Sequence, residues 1–280
     1  MSDNKSPAPK SELSVENHTE VRKQQFTFGS LFAGIGGMDL GLEWAGMTCK
    51  WQVEISPFSV AVLQKHWQEV PKYGDITKLD GSELEPVDLI CGGFPCQDVS
   101  LAGLRKGIGS GTRSGLYADM LRLVSVLRPR FVLMENVSGL LVPSTPDEPA
   151  PISRVLGDLA EIGFDAEWDC IPASALGAPH QRDRVFIIAY VPHADDPQHE
   201  GPGLRNRILS GELRRVPWWP SYAGIRRRND GVPAWMDRLK ACGNAVVPQV
   251  AEWIGKRILS TLNVVESSHV RVRQEEDCAQ

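Results

Sequence analysis

Val87-Asp88-Leu89-Ile90-Cys91-Gly92-Gly93-Phe94-Pro95-Cys96-Gln97 reads as a buried strand that stops at two glycines and passes into a loop carrying a second cysteine. A short continuous apolar run is the pattern of a strand covered on both faces, and open α/β sheets gather their ligands on the loops at the strands' carboxyl ends. Pro95 fixes its own φ and biases Phe94 toward extended backbone, while Gly92 and Gly93 allow a sharp turn and a close approach by substrate. The Cys96 thiol is thereby presented. Taken alone it reads equally as a nucleophile and as one more small hydrophobe.

Working outward, the same rhythm recurs on both sides. Phe26–Phe32 has strand composition, ends in the glycine turn Ala33-Gly34-Ile35-Gly36-Gly37, and is followed by Met38, Leu40, Leu42 and Trp44 at positions that fit a helix. Met47–Val53 is a second strand ending at Glu54, and Ser56-Pro57 supplies a cap and a first-turn proline for a helix to about Trp67. Downstream, the pattern predicts helix 115–127, strand 130–135, helix 152–162 and strand 184–191, with a last helix from Val247 to Ile258. Strands alternating with helices predict an α/β fold with a mostly parallel sheet covered on both faces.

The expected organisation is a disordered leader (1–25), a main domain formed by 26–191 together with 241–262, a small irregular lobe (192–240) and a polar tail (263–280). With 42% hydrophobic and 23% charged residues, the 280-residue chain has the composition of a globular enzyme. No apolar run approaches membrane-spanning length and no secretory signal is visible, so a cytoplasmic location is expected. The six cysteines contain no Cys-x-x-Cys pair, which argues against a zinc ribbon or a thioredoxin-type site. His193 to His199 holds metal-ligand residue types, but in a proline-interrupted loop with no supporting cluster; no metal is expected.

Net charge is −5, yet residues 201–230 carry seven arginines against Glu212 and Asp230. With Trp218, Trp219 and Tyr222 interleaved, this window reads as a surface for phosphates and bases, and a solvated loop is the alternative. The glycine turn after the first strand lets backbone approach a ligand at a helix N-terminus, but Asp39 stands where a dinucleotide fingerprint has its third glycine. A nicotinamide or flavin is disfavoured. Glu54, about 20 residues past the glycines, sits where an acid binds ribose hydroxyls.

Gly-Gly-Phe-Pro-Cys-Gln at 92–97 resembles the nucleophile loop of the cytosine C5 DNA methyltransferases, and further segments resemble that family's motifs in its order over about residues 26–262. The resemblance implies a Rossmann-like domain that binds S-adenosylmethionine, a small target-recognition lobe, and double-stranded DNA as the other partner. It implies catalytic roles for Cys96 as nucleophile toward C6, Glu135 of Glu-Asn-Val toward N3, and Arg184 of Gln-x-Arg-x-Arg toward O2. The cofactor residues it implies are Phe32, Gly34, Gly36, Glu54, Asp75, Ile76, Pro95, Leu116, Asn244 and Val246. On the DNA side stand Gln97, Ser100, Arg105, Arg113, Arg182, Arg226, Arg227 and Arg228, with Gln97, Ser100 and the glycine-rich loop after them bracing the gap left by a flipped base.

His180 replaces the first glutamine of the arginine motif, and the recognition lobe is short for the family. The implied activity is that of a DNA (cytosine-5-)-methyltransferase acting at a short specific sequence. A tRNA cytosine C5 methyltransferase of the same family and a non-catalytic DNA-binding relative remain as alternatives. A cognate restriction enzyme is a candidate partner, and a monomer is expected.

Overall fold

The computed structural model describes residues 25–95, 115–143, 145–192, 209 and 243–277, with side chains of the last helix described to 262. These residues form a sheet with the order β3-β2-β1-β4-β5-β7-β6. The strands are β1 (Thr27–Leu31), β2 (Thr48–Val53), β3 (Lys72–Tyr73), β4 (Leu89–Gly93), β5 (Phe131–Val137), β6 (Asp165–Pro172) and β7 (Asp183–Tyr190). β1 pairs in parallel with β2 and β4, as do β2 with β3 and β4 with β5; β5–β7 and β7–β6 are antiparallel. The sheet is mostly parallel, as expected. No helix among the described residues is long and apolar enough to cross a membrane.

The helices are α1 (Gly37–Trp44), α2 (Pro57–His66), α3 (Gly115–Leu127), α4 (Pro151–Glu161) and α5 (Pro248–Asp277). Ser56 caps α2, its side chain accepting from the Ser59 N–H at 3.5 Å with proline in the first turn. The apolar strands divide their side chains by the two-residue period. Ile90, Val132, Met134, Val185 and Ile187 pack with α3 and α4 on one face; Leu89, Cys91, Leu133, Phe186 and Ile188 pack with α1 and α5 on the other. Leu209 also packs on this second face.

Two features depart from the sequence expectation. β3 and β6 were not anticipated: β3 is two residues long, and β6 is an edge strand whose exposed positions carry Asp165, Trp168 and Asp169. Helix α5 continues in backbone to Asp277, through most of the segment read as a polar tail.

α1 and α5 approach so closely that side chains are excluded between them. A Cβ on Gly41 would overlap the Pro248 carbonyl, one on Gly37 the Val246 carbonyl, and one on Gly255 would lie 2.7 Å from Ala45 Cβ. The stretch after residue 243 is thereby seated beside the glycine turn at the start of the chain.

Candidate active site at the carboxyl edge of the sheet

The parallel strands β1, β2, β4 and β5 all end on the same edge, and β7, running the other way, begins there. A residue at the start of β7 therefore meets residues at the ends of β4 and β5. Val137 is in register with Arg184 and Gly93 with Glu135. Glu135 and Arg184 are diagonal neighbours, and Arg184 Nε lies 2.9 Å from Glu135 Oε1.

The pair is largely out of water, with side-chain exposures of 11% for Glu135 and 21% for Arg184. Burial raises the Glu135 pKa above the ordinary carboxylate value, outweighing the opposing charges of Arg184 and Arg182. Gly93 makes room for this carboxylate, since a Cβ there would sit 2.8 Å from Glu135 Oε2. Next along β5, the Asn136 amide donates to the Phe94 carbonyl at 3.0 Å and ties down the loop that leads to Cys96. The Phe94 ring is buried against Tyr117 of α3, with centroids 4.9 Å apart. Both the backbone and the ring of Phe94 are thus held before the chain reaches Pro95.

On the other half of the edge, Phe32 (φ 52°), Gly34 (φ 57°) and Gly36 (φ 82°) all adopt left-handed backbone between β1 and α1. Glycine accepts this freely, whereas at Phe32 it is a strain of the kind that collects at ligand sites. Among the described residues nothing lies within 4 Å of a Cβ built on Gly34, while at Gly36 a Cβ would meet the Trp67 ring at 2.5 Å. Glu54, just past β2, accepts from the Gly34 N–H and the Ser56 N–H, each at 2.7 Å. The turn is backed by an indole, gripped by a carboxylate and open above. Such a turn fits a nucleoside-bearing cofactor.

Asp75 caps the short 3-10 turn Ile76–Lys78, accepting from the Thr77 hydroxyl at 2.8 Å and its N–H at 3.1 Å, and those bonds lower its pKa. Ile76 is buried on the sheet face that packs with α3 and α4, and Leu116 is partly buried against the same face. Pro95 is half-buried, Asn244 exposed and Val246 half-buried beside Gly37.

Arg182, assigned from sequence to the DNA side, has φ 39° and donates to the Gly243 and Ala245 carbonyls at 2.9 and 2.5 Å. It fastens the segment that carries Asn244. Cys96, Gln97, Ser100, Arg105, Arg113, Arg226, Arg227 and Arg228 lie outside the described residues, as does nearly all of the 192–240 lobe.

Sequence reasoning passed over three contributors. Trp67 donates its indole N–H to Glu43 at 2.7 Å while backing Gly36. Ile55, beside Glu54, is an apolar side chain 70% exposed. Asp39 is fully buried, hydrogen-bonded to Ser30 and Gln52 beneath the turn. An acid in the first turn of α1, between the apolar Met38 and Leu40, was the available signal for the last.

The family model for C-5 cytosine-specific DNA methylase matches residues 26–202. Type II methyltransferase M2.BsuMI of Bacillus subtilis strain 168 is 37% identical over 259 residues, 86% of this chain and 63% of that protein. Type II methyltransferase M.NgoBV of Neisseria gonorrhoeae is 31% identical over 201 residues, 67% of this chain and 47% of its own length. The chain spans about half the length of several curated relatives it matches. Among solved structures, the S. pombe Dnmt2 methyltransferase superposes with a TM-score of 0.50 at 18% identity, covering 62% of this chain and 52% of that one, a likeness of fold.

Proposed function

This chain belongs to the C-5 cytosine-specific DNA methylase family, and from that premise we propose that it methylates C5 of a cytosine flipped out of duplex DNA, with Cys96 as nucleophile. The observation that carries the reading is the buried Glu135–Arg184 pair, held at the strand edge beside the loop that leads to Cys96. Neither an acid with a raised pKa nor a guanidinium fixed against it is needed by a protein that only binds DNA.

In this reading Arg184 directs its remaining donors to the cytosine O2 and orients the base, for which a planar, permanently charged group is suited. Glu135, whose hold on a proton is strengthened by burial, shares a proton with N3 and withdraws electrons from the ring. The Cys96 thiolate then bonds to C6, and the electrons of the C5–C6 double bond become available at C5. Bound S-adenosylmethionine supplies the methyl group that C5 takes up. A base removes the C5 proton, the double bond re-forms, and the C6–S bond breaks to return the thiolate.

The residues that would hold the cofactor are those of the strained turn, Phe32, Gly34 and Gly36, with Glu54 for ribose hydroxyls and Asp75 for the adenine amino group. Val246 and Asn244 close that side, positioned by Arg182. The short arginine-rich lobe would recognise few base pairs.

The test is transfer of radiolabelled methyl from S-adenosylmethionine to mixed-sequence duplex DNA and, in parallel, to tRNA, with Cys96→Ala as control and base-by-base mapping of the product. Label at C5 of DNA cytosines that vanishes in the variant is the expected result. Label only in tRNA, or none in either polymer, would overturn the assignment.

A further inference from the structure

Asp39 presents a physical puzzle. It is fully buried beneath three adjacent strands: Ser30 of β1 is in register with Gln52 of β2 on one side and Cys91 of β4 on the other. Its carboxylate accepts from the Ser30 hydroxyl at 3.0 Å and the Gln52 amide at 2.7 Å, and its own backbone N–H in the first turn of α1 adds a third bond; all three donors are neutral. The titratable groups acting on it are Glu43 on α1, Cys49 on β2, Lys72 on β3 and Cys91 on β4. The lysine's ammonium is committed to the carbonyls of Trp67 and Val70. From α5, the side chain of Ala251 and the Pro248 backbone pack against the adjoining turn at Gly41.

Burial pushes the Asp39 pKa up to about 6, against the hydrogen bonds from Gln52 and Ser30, so the group is mainly ionised at neutral pH without a cation bonded to it. An asparagine could keep a hydrogen bond to each partner, accepting from Ser30 and donating to Gln52. Among the described residues Gln52 Oε1 is buried without a hydrogen-bond partner, so a flipped Gln52 amide could accept from an asparagine at 39. What asparagine lacks is the charge. A buried charge that neutral groups could replace structurally calls for a cationic partner that arrives with the ligand.

We propose that the Asp39 carboxylate is a fixed counter-charge beneath the glycine turn, selecting the cationic sulfonium of S-adenosylmethionine over the neutral thioether of S-adenosylhomocysteine. Asp39 acts through space from under Gly34–Gly37 and touches neither ligand. The inference rests on the reading that this turn binds the methyl donor. After transfer, the sulfonium charge is gone and the same field no longer favours the bound product, which aids its release.

By linkage, a ligand that favours the ionised form binds more weakly as pH falls through the pKa of that group. The experiment is calorimetric titration of the full chain with S-adenosylmethionine and, separately, with S-adenosylhomocysteine between pH 5 and 7.5, for wild type and Asp39→Asn. The two ligands share their adenosine and amino-acid parts, so other titrating groups largely cancel in the ratio of their Kd values. The expected wild-type ratio shifts about fivefold toward S-adenosylmethionine from pH 5 to 7.5, as a partly screened unit charge would produce. In Asp39→Asn the ratio stays flat at the wild-type low-pH value.

A wild-type ratio constant across this range overturns the proposal without recourse to any variant, and so does a variant whose ratio tracks wild type. Failure of the wild type to bind either ligand at any pH would instead remove the functional reading itself.

Discussion

Two of the buried acids, Glu135 and Asp39, stand on the two halves of the sheet, and the protein treats them differently. Glu135, on the β5–β7 half, has Arg184 at 2.9 Å; Asp39, on the β1–β2 half, has a hydroxyl, an amide and its own backbone N–H, all neutral groups. Burial raises both pKa values, and in both cases it outweighs the groups that oppose it. In the proposed reaction the first acid must hold a proton for the base while a neighbour orients that base, so a resident guanidinium serves it. The second faces a ligand that brings its own positive charge, and a resident cation would cancel the attraction. The pairing of a buried acid thus reports what is expected to arrive beside it.

The comparison breaks most visibly at Glu135. Glu135→Gln should lower the methyl-transfer rate by about 10²- to 10⁴-fold, the usual worth of a positioned acid, while S-adenosylmethionine Kd stays unchanged in direct binding. The pH profile sharpens this. Because the wild-type enzyme needs Glu135 protonated, its single-turnover rate should fall as pH rises through that raised pKa, and the variant should lack this limb. A variant with the same limb would place the titration elsewhere.

Arg184→Ala should come next in size, destabilising the fold by roughly 3 kcal/mol, because it leaves a buried carboxylate without its partner. In denaturant titrations, Glu135→Gln combined with Arg184→Met should recover much of that loss. Additive losses in the double variant would mean that the two side chains are not energetically coupled.

Arg182→Ala follows at about 1.5 kcal/mol, since two carbonyls of the 243–245 segment lose a charged donor. Weaker cofactor binding with unaltered DNA affinity is expected. The reverse pattern in filter binding would support the assignment of Arg182 to the DNA side.

Asp39→Asn is the smallest and has the opposite sign. The folded state holds the Asp39 proton up to about pH 6, whereas an ordinary aspartate loses it near pH 4. The native state therefore binds more protons across that window, and wild-type stability falls as pH rises through it. The variant lacks this fall and should gain a few degrees in Tm at pH 7.5, relative to wild type, over the difference seen at pH 4.

Much of this was legible in the sequence wherever a local pattern carries its own explanation. The strand before Gly92, the cap Ser56-Pro57 and helix 115–127 follow from periodicity and turn chemistry, and Glu135 and Arg184 follow from motif residues at strand ends. Arg182 was legible as an arginine but not as a latch, because its partners lie about 60 residues downstream and are carbonyls, which leave no trace in residue identity. Asp39 was noticed only as a missing glycine; its significance depends on Ser30, Gln52 and Cys91 meeting beneath one turn, a property of register. β6 escaped because an edge strand with acids on its exposed positions loses the alternation that identifies strands.

The close contact of α1 with α5 also sets an order of events during synthesis. The sheet face that α1 shares with α5 stays incompletely covered until Pro248 and its helix exist, about 200 residues of synthesis after Gly41 is added to the chain. At cellular elongation speeds this is a delay of roughly 10–40 s, during which Phe28, Leu89, Leu133 and Ile188 lack part of their final cover. A nascent chain in that interval is a natural client for chaperones, and truncation before α5 should yield a protein that aggregates instead of a smaller folded one.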